Sequence, residues 1–233
     1  MQERDCRTRE SQAGFRPGRG CVDQIFALHQ VLELRHEYRQ STNVAFLDFS
    51  AAFDSVDRTC IVQLMENDGV PSKICRIITA MYKCTTCEIS VYNTRTVPFN
   101  IKSGVRQGGI LSPFLFNYCI DYILNRAMDN PSYGVTIHSS KYQLTDLTFA
   151  DDIALLSSSS TTLQEMVNQI KTEAAKVGLV LSSAKSKYMC TDDAQRGIVS
   201  IDNVHLEKVD WFTYLGSRIG PSGACENEIN ARI

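Results

Sequence analysis

A chain of 233 residues with 43% hydrophobic and 21% charged residues can bury a sizeable core and has the composition of an ordinary globular protein, as one domain or as two lobes. Its net charge of −2 excludes a nucleic-acid binder that works through a strong uniform positive field. Apolar runs fall short of the ~18 residues needed to cross a bilayer, Met1-Gln2-Glu3-Arg4-Asp5 lacks signal-peptide character, and nine scattered cysteines do not suggest a disulfide framework, so an intracellular protein with reduced thiols is expected.

In chain order, the segment through Gly14-Phe15-Arg16-Pro17-Gly18-Arg19-Gly20 reads as loop, and the spacing of Ile25, Leu28 and Leu32 predicts a helix from Val22 to Arg39. Val44 to Leu47 is a short apolar strand that delivers Asp48 to its end, where function tends to gather. A helix from Asp57 to Asn67 turns Cys60, Ile61, Leu64 and Met65 inward and stops at Gly69 and Pro71; the next carries Ile74, Ile77, Ile78 and Met81. Cys87 to Tyr92 and Arg95 to Ile101, joined by Asn93-Thr94, read as a β-hairpin. Cys84 and Cys87 have zinc-ligand spacing, but no second Cys or Cys/His pair accompanies them, so they are expected to be strand-flanking core thiols.

Ser112 to Met128 is predicted helical, with Pro113 near its first turn and Phe116, Cys119, Ile120, Ile123 and Ala127 inward. After a polar loop from Ser157 to Ser160, Thr162 and Glu165 read as a capping box for a helix striped by Leu163, Met166, Val167, Ile170, Ala174 and Val177 and closed by Gly178. Short strands are expected at Leu179 to Leu181, Tyr188 to Cys190, Ile198 to Ile201 and Phe212 to Leu215. Strands and helices mix without a βαβ alternation, which makes the fold class α+β. Between Arg58 and Arg106 seven Lys and Arg face three Asp and Glu, a local +4 that leaves −6 elsewhere. An acidic zone beside a basic track suits an enzyme that holds metal and phosphate together, and a mixed solvated surface is the alternative.

The acids carry the chemistry. Asp151 and Asp152, in Phe149-Ala150-Asp151-Asp152, lie at the junction of two strand-like runs, where adjacent carboxylates repel each other beside surfaces that should be buried. If that hairpin neighbours the Asp48 strand, Asp48, Asp151 and Asp152 converge as hard oxygen ligands of the kind that suits Mg²⁺. Taken singly, an Asp-Asp pair also fits a solvated turn, and Asp48 before Ser50-Ala51-Ala52 also fits a helix N-cap.

The order of these elements resembles the reverse transcriptase of non-LTR (LINE-type) retrotransposons. Gln12-Ala13-Gly14-Phe15-Arg16-Pro17-Gly18-Arg19 resembles the family's finger segment, Phe46 to Asp54 its first catalytic motif, and Ser103-Gly104-Val105-Arg106-Gln107-Gly108-Gly109 through Pro113 its nucleotide-pocket motif. Phe149-Ala150-Asp151-Asp152 is similar to the aromatic-x-Asp-Asp box, Gly178 to Lys187 to the lysine-bearing motif, and Phe212-Thr213-Tyr214-Leu215-Gly216 to the primer grip. Ser182 stands where the family often has asparagine.

The resemblance implies a polymerase palm, an antiparallel sheet backed by helices, with partial fingers and the thumb missing. By it, residues 1–40 are a partial fingers segment, 41–57 and 103–208 the palm, 58–102 fingers-like helices and hairpin, and 209–233 the primer-grip region, ending at Asn230-Ala231-Arg232-Ile233. The chain would then be truncated at both ends and lack endonuclease and RNase H domains.

The implied activity is RNA-directed DNA polymerisation by two-metal nucleotidyl transfer of dNTPs onto a DNA primer 3′-hydroxyl along an RNA template. Two Mg²⁺ ions, with Mn²⁺ as a substitute, would be held by Asp48, Asp151, Asp152 and the backbone carbonyl of Phe49. Phe53 would sit beneath the sugar, or else be a core ring; Gln107 and Gly108 would meet the nucleotide, or else form a plain turn. Lys185 would protonate pyrophosphate, Arg16 and Arg19 would touch template or phosphates, and Tyr214, Leu215 and Gly216 would hold the primer; solvated side chains are the alternative for all three basic residues. A nuclear or cytoplasmic ribonucleoprotein location follows from the resemblance, with no membrane; the oligomeric state stays open. A silent retroelement relic that at most binds nucleic acid and a palm of an RNA-dependent RNA polymerase are the competing readings, the second opposed by Phe53.

Overall fold

The computed structural model describes residues 8–137, 143–192 and 197–223. Residues 1–7 and 224–233, on which part of the expectations about the chain's two ends rest, lie outside them.

Five strands form the central sheet: β1 (Asn43–Leu47), β8 (Asp146–Phe149), β9 (Asp152–Ser157), β10 (Lys187–Cys190) and β13 (Glu207–Lys208), in the order β13-β10-β1-β9-β8. Outside it, β6 (Val135–Thr136) pairs with β7 (Gln143–Leu144) and β11 (Ser200–Ile201) with β12 (Val204–His205). All pairings are antiparallel except the edge pair β10–β13, which is parallel. The residues of β1 are buried throughout, because side chains that alternate between the two faces meet apolar layers on both. Ala45, Leu47, Ile153, Leu155, Tyr188 and Cys190 join the helical layer; Val44, Phe46, Ala154, Leu156 and Met189 join a second cluster.

The helical layer is built from α3 (Arg58–Asn67), α4 (Ser72–Tyr82), α5 (Ser112–Ala127) and α6 (Ser160–Lys176), and its deepest side chains include Phe116, Ile120, Ile123, Leu163 and Ile170. Across the sheet, α1 (Cys21–Glu37) supplies Leu28, Val31 and Leu32, and the hairpin of β14 (Phe212–Tyr214) and β15 (Ser217–Ile219) supplies Tyr214 and Ile219. The sheet is thus sandwiched, more enclosed than a sheet backed by helices alone.

The free edge of β8 is covered by the N-terminal segment. Gln12 forms a parallel bridge with Thr148, Ala13 N donates to Thr148 O at 2.9 Å, and Thr148 N donates to Ser11 O at 3.0 Å. Buried Asp146 fastens this edge, accepting from Arg9 Nη2 at 2.6 Å and Ser11 Oγ at 2.7 Å. A buried carboxylate needs such partners, since an isolated one would be neutralised rather than stay charged.

Several expectations are corrected. Helix α1 ends at Glu37 rather than Arg39, because Arg39 adopts φ +52 and leaves the helix. Ser159, not Thr162, is the N-cap of α6: its hydroxyl accepts from Thr162 N at 3.1 Å, which places Thr162 within the first turn. The expected polar loop from Ser157 to Ser160 shrinks accordingly, with Ser157 in β9 and Ser160 in α6. The expected hairpin becomes two small ladders, β2 (Thr86–Cys87) with β5 (Phe99–Asn100) and β3 (Ser90–Val91) with β4 (Thr94–Arg95). Its turn is Tyr92-Asn93, both with positive φ as a type I′ turn requires.

This ribbon stands clear of the core, so Cys84 is exposed and Cys87 half-buried rather than core thiols. In α4 the buried residues are Cys75 and Ile78, while Ile74, Ile77 and Met81 are exposed. Leu179 to Leu181 forms no strand; a single antiparallel bridge joins Leu181 to Phe49. A short helix, α2 (Ala52–Ser55), follows Ala51, which has a left-handed backbone and stands at the N-cap in place of Asp48, the alternative cap offered above.

The loop at 103–109 is stapled to the turn after Asp48. Gly104 N donates to Val56 O at 2.8 Å, Val105 N to Phe53 O at 2.6 Å, and Ser103 Oγ to Asp54 O at 3.0 Å. Gly104 has φ +76, and a Cβ there would lie 2.6 Å from the Cα and carbonyl oxygen of Asp54. Both the conformation and the contact forbid a side chain. Gly104→Ala is therefore expected to destabilise the fold by about 2–4 kcal/mol, combining overpacking with a strained left-handed residue, as read from a lower urea midpoint at unchanged slope.

Candidate active site

Strand register brings the three acids to one place. Leu47 pairs with Ile153, so Asp48, the next residue along β1, and Asp152, the preceding residue of β9, lie at the same end of adjacent antiparallel strands. Phe149 pairs with Asp152, which leaves Ala150-Asp151 as a two-residue turn over that end. Ala150 carries φ +58, the left-handed first position characteristic of a type II′ turn.

The backbone around Asp48 is fixed on both sides. Asp48 N donates to Ser186 Oγ at 3.2 Å, its carbonyl accepts from Ser182 N at 2.8 Å, and Ser50 N donates to Val180 O at 2.8 Å. Ser186 is fully buried, and the sequence reading assigned it no role, since a serine between two lysines carries no signal of its own. The Phe49 ring is buried, while its backbone bridges Leu181 beside the acids.

The electrostatics are those of an under-neutralised cluster. Partial burial, then the charges of Asp151 and Asp48, push the Asp152 carboxyl up to about 6. Burial also raises Asp151, reinforced by Asp48 and opposed by its own backbone amide and by Lys185. One cation is at hand: Lys185 Nζ lies 3.4 Å from Asp48 Oδ1. That oxygen is buried and accepts no hydrogen bond. A buried carboxylate oxygen with one lysine as its ion-pair partner and no hydrogen bond, beside two further carboxylates, is a donor set that suits a hard divalent cation.

The ligand shell is open, however: among the described residues no three His, Cys, Asp or Glu side chains are close enough together to enclose an ion. Asp48, Asp152 and Lys185 line a hollow of about 50 Å³, walled by Phe46, Phe212 and Tyr214. A larger cavity of about 690 Å³ lies away from the acids, between α3, α4 and β5, with Arg58, Ile78, Tyr82 and Ile101 in its wall.

The remaining candidates divide. The half-buried Phe53 ring stacks on Phe116 at 4.5 Å and meets Phe15 edge-on at 6.5 Å, so it is fixed in orientation yet reachable. The bond from Val105 N to Phe53 O brings the Gln107 loop alongside it. Gln107 is exposed, and Gly108, with φ +77, faces open space. A Cβ on Gly109 would fall 2.7 Å from Ser112 Oγ, so that hydroxyl would have to move to admit it.

Tyr214 is not presented to a nucleic acid. Its ring is 2% exposed, and its hydroxyl donates to Leu147 O at 3.1 Å. Leu215 and Gly216, both with positive φ, form the accessible tip of that hairpin. Arg16 is turned back on the chain, donating to the carbonyls of Arg9 at 2.8 Å and Gln12 at 2.9 Å, and Arg19 pairs with Glu10. In the basic stretch, Arg58 is likewise spent on the carbonyls of Gly104 and Ile101.

Acids gathered at strand ends beneath a loop that abuts an aromatic ring are the mark of the palm polymerases. The chain belongs, among these, to the reverse transcriptase family: the family described as "Reverse transcriptase (RNA-dependent DNA polymerase)" matches residues 2–219. It is 31% identical over 228 residues to the Pol polyprotein from the type-1 retrotransposable element R2 of Popillia japonica, a match that covers 93% of this chain and 32% of that protein. The chain thus spans about a third of that relative's length. Its fold is similar to apo telomerase of Candida tropicalis truncated from its C-terminal domain, with a TM-score of 0.66 and 14% identity over 95% of this chain and 43% of that one. Telomerase of the same organism, in complex with the TWJ fragment of telomeric RNA, matches with a TM-score of 0.57 and 13% identity over 80% of this chain and 31% of that one.

Carboxylates that repel one another make metal binding stabilising. With Mg²⁺ at about a hundred times its dissociation constant, the fold should gain about 2.7 kcal/mol at pH 7.5. The raised Asp152 holds its proton more tightly in the folded state, so without metal its contribution to stability improves as pH falls through about 6 toward its unfolded value. The Mg²⁺ effect has the opposite sign, since the proton competes with the ion. Thermal melting with and without Mg²⁺ should show a large shift at pH 7.5, a small one at pH 5, and almost none in Asp48→Asn.

Proposed function

We propose that this chain is the palm-bearing part of an RNA-directed DNA polymerase, which adds deoxynucleotides to a DNA primer 3′-hydroxyl along an RNA template. The observation that carries this reading is the meeting of Asp48, Asp151 and Asp152 at one strand end, with a buried Asp48 oxygen that accepts no hydrogen bond, in a member of the reverse transcriptase family. Residues 41–57 and 103–208 would be palm, 1–40 a partial fingers segment, 58–102 fingers-like helices and hairpin, and 209–233 the primer-grip region. Among the described residues no helix is long and apolar enough to cross a membrane.

In this reading Asp48, Asp151 and Asp152 offer hard oxygens to two Mg²⁺ ions, or to Mn²⁺ in their place, with the Phe49 carbonyl as a further ligand. When bound, such ions supply activation of the primer hydroxyl and charge neutralisation on the triphosphate. The chain's own residues do the positioning. Primer oxygen attacks the α-phosphorus, the bond to the β-phosphate oxygen breaks, and pyrophosphate leaves; Lys185, beside Asp48, is placed to give it a proton. Gln107 and Gly108 present an exposed side chain and an open backbone to the nucleotide. The template would run along the exposed fingers-side surface, with Leu215 and Gly216 against the primer.

Phe53 selects the sugar. Backed by Phe116, its ring cannot retreat from a 2′-hydroxyl, and overpacking of about 1–3 kcal/mol corresponds to a bias of about tenfold to a hundredfold against ribonucleotides.

Primer extension on an RNA template with Mg²⁺ should give product from dNTPs in preference to NTPs. Asp151→Asn should abolish it, and Phe53→Ala should shrink the preference by about tenfold to a hundredfold. Absence of product from the unaltered chain would favour a silent relic, and a preference for ribonucleotides would favour an RNA polymerase.

A further inference from the structure

The turn that carries Asp151 is held from outside the sheet by Gln12. Gln12 is fully buried at the edge of β8. Its Oε1 accepts from Ala150 N at 2.9 Å and from Gly14 N at 2.7 Å, and its Nε2 reaches Ala150 O at 3.4 Å. Two N–H groups converge on one amide oxygen, which fixes the orientation of the carboxamide. Gly14 completes the clasp: a Cβ there would fall 2.2 Å from Ala150 N, so only a glycine lets the two backbones touch. Asn117 Nδ2 of α5 donates to Gly14 O at 3.0 Å and fastens the clasp to the helical layer.

The turn needs this support. Ala150 is an L-residue with φ +58, a conformation disfavoured by its own Cβ, and it immediately precedes Asp151. Without a partner for both ends of its peptide unit, the two-residue loop would be free to relax, and the Asp151 carboxylate would swing with it. Ala13 and Thr148 close the same segment onto β8, so Gln12 reaches Ala150 from a rigid base.

We infer that Gln12 is a positioning residue for the polymerase reaction: its carboxamide, with Gly14, locks Ala150 in the left-handed turn and so aims Asp151 at the metal site shared with Asp48. This rests on the polymerase reading given above. It also explains why a segment outside the palm, residues 9–14, lies in contact with the catalytic hairpin.

The test replaces the carboxamide by an apolar chain of similar length. In Gln12→Met the Ala150 amide should exchange with solvent about tenfold faster or more, because its acceptor is gone. Mn²⁺ affinity, read by electron paramagnetic resonance, should fall by about tenfold or more, the usual cost of losing a residue that orients a ligand. Adding Ala150→Gly should restore most of that affinity, since glycine takes the left-handed turn unaided. A residue that merely fills the core would not be rescued in this way.

Thr42→Val serves as control: Thr42 accepts from buried Arg35 at 2.7 Å at the other end of β1, and its loss should lower the melting temperature without changing Mn²⁺ affinity. Should Gln12→Met not fold, Gln12→Asn, whose amide falls one methylene short of Ala150, carries the same readouts. Unchanged Mn²⁺ affinity in the Gln12 variant, or absence of rescue by Ala150→Gly, would overturn the inference while leaving the polymerase reading intact. An unaltered chain that protects the Ala150 amide yet binds no Mn²⁺ would overturn both.

Discussion

Repulsion among three carboxylates at one end of a buried sheet is the constraint around which the molecule is arranged. Pairing of Leu47 with Ile153 and of Phe149 with Asp152 forces Asp48, Asp151 and Asp152 together, and a shift of one residue in either ladder would turn an acid into a core layer. The sheet tolerates this because both of its faces are packed, by the helices behind and by α1 with the β14–β15 hairpin in front. Hydrophobic burial supplies the stability that the acids subtract. That exchange is common where function requires a cluster the fold alone would not choose.

The backbone around the acids is over-determined to the same end. Left-handed residues stand beside both acidic segments, Ala51 after Asp48 and Ala150 before Asp151, and the second is bonded by Gln12 from far away in the chain. Ser186 and Ser182 fix Asp48, the bonds from Gly104 and Val105 fix the segment after it, and Gln12 with Gly14 fixes the turn before Asp151. Against these rigid supports Lys185 remains two-thirds exposed on its side chain, reaching Asp48 from solvent. An exposed lysine over a fixed anionic cluster offsets part of its charge while keeping its own stem in solvent.

Much of this was legible in the sequence, for identifiable reasons. The stripe from Leu163 to Val177 and the inward face of α5 buried as their 3.6-residue spacing requires, and Val44 to Leu47 delivered Asp48 to a strand end. Local chemistry without a core to enforce it was read less well: the exposed ribbon slipped its turn from Asn93-Thr94 to Tyr92-Asn93, and α4 left Ile74, Ile77 and Met81 outside. Ser159 took the cap from Thr162 because either residue satisfies the same pattern. In the site, the acids, Phe53 and the Gln107 loop were visible through their motifs. The inward turn of Tyr214 and the internal partners of Arg16 were not, since both depend on contacts with residues far away in the chain. Asp146 and Gln12 were equally hidden, their meaning resting on a pairing between residues 9–14 and β8 that no local pattern announces.

Lys185 approaches the buried Asp48 oxygen to 3.4 Å, the position that a cation would have to share under the proposed reading. The proposed polymerase reading rests on Asp48, Asp151 and Asp152 sharing one divalent-cation site. Crystals grown with Mn²⁺ test it most directly through anomalous scattering. A manganese peak beside Asp48, Asp151 and Asp152 is expected; a well-ordered crystal with manganese bound elsewhere and none at these acids would contradict the reading.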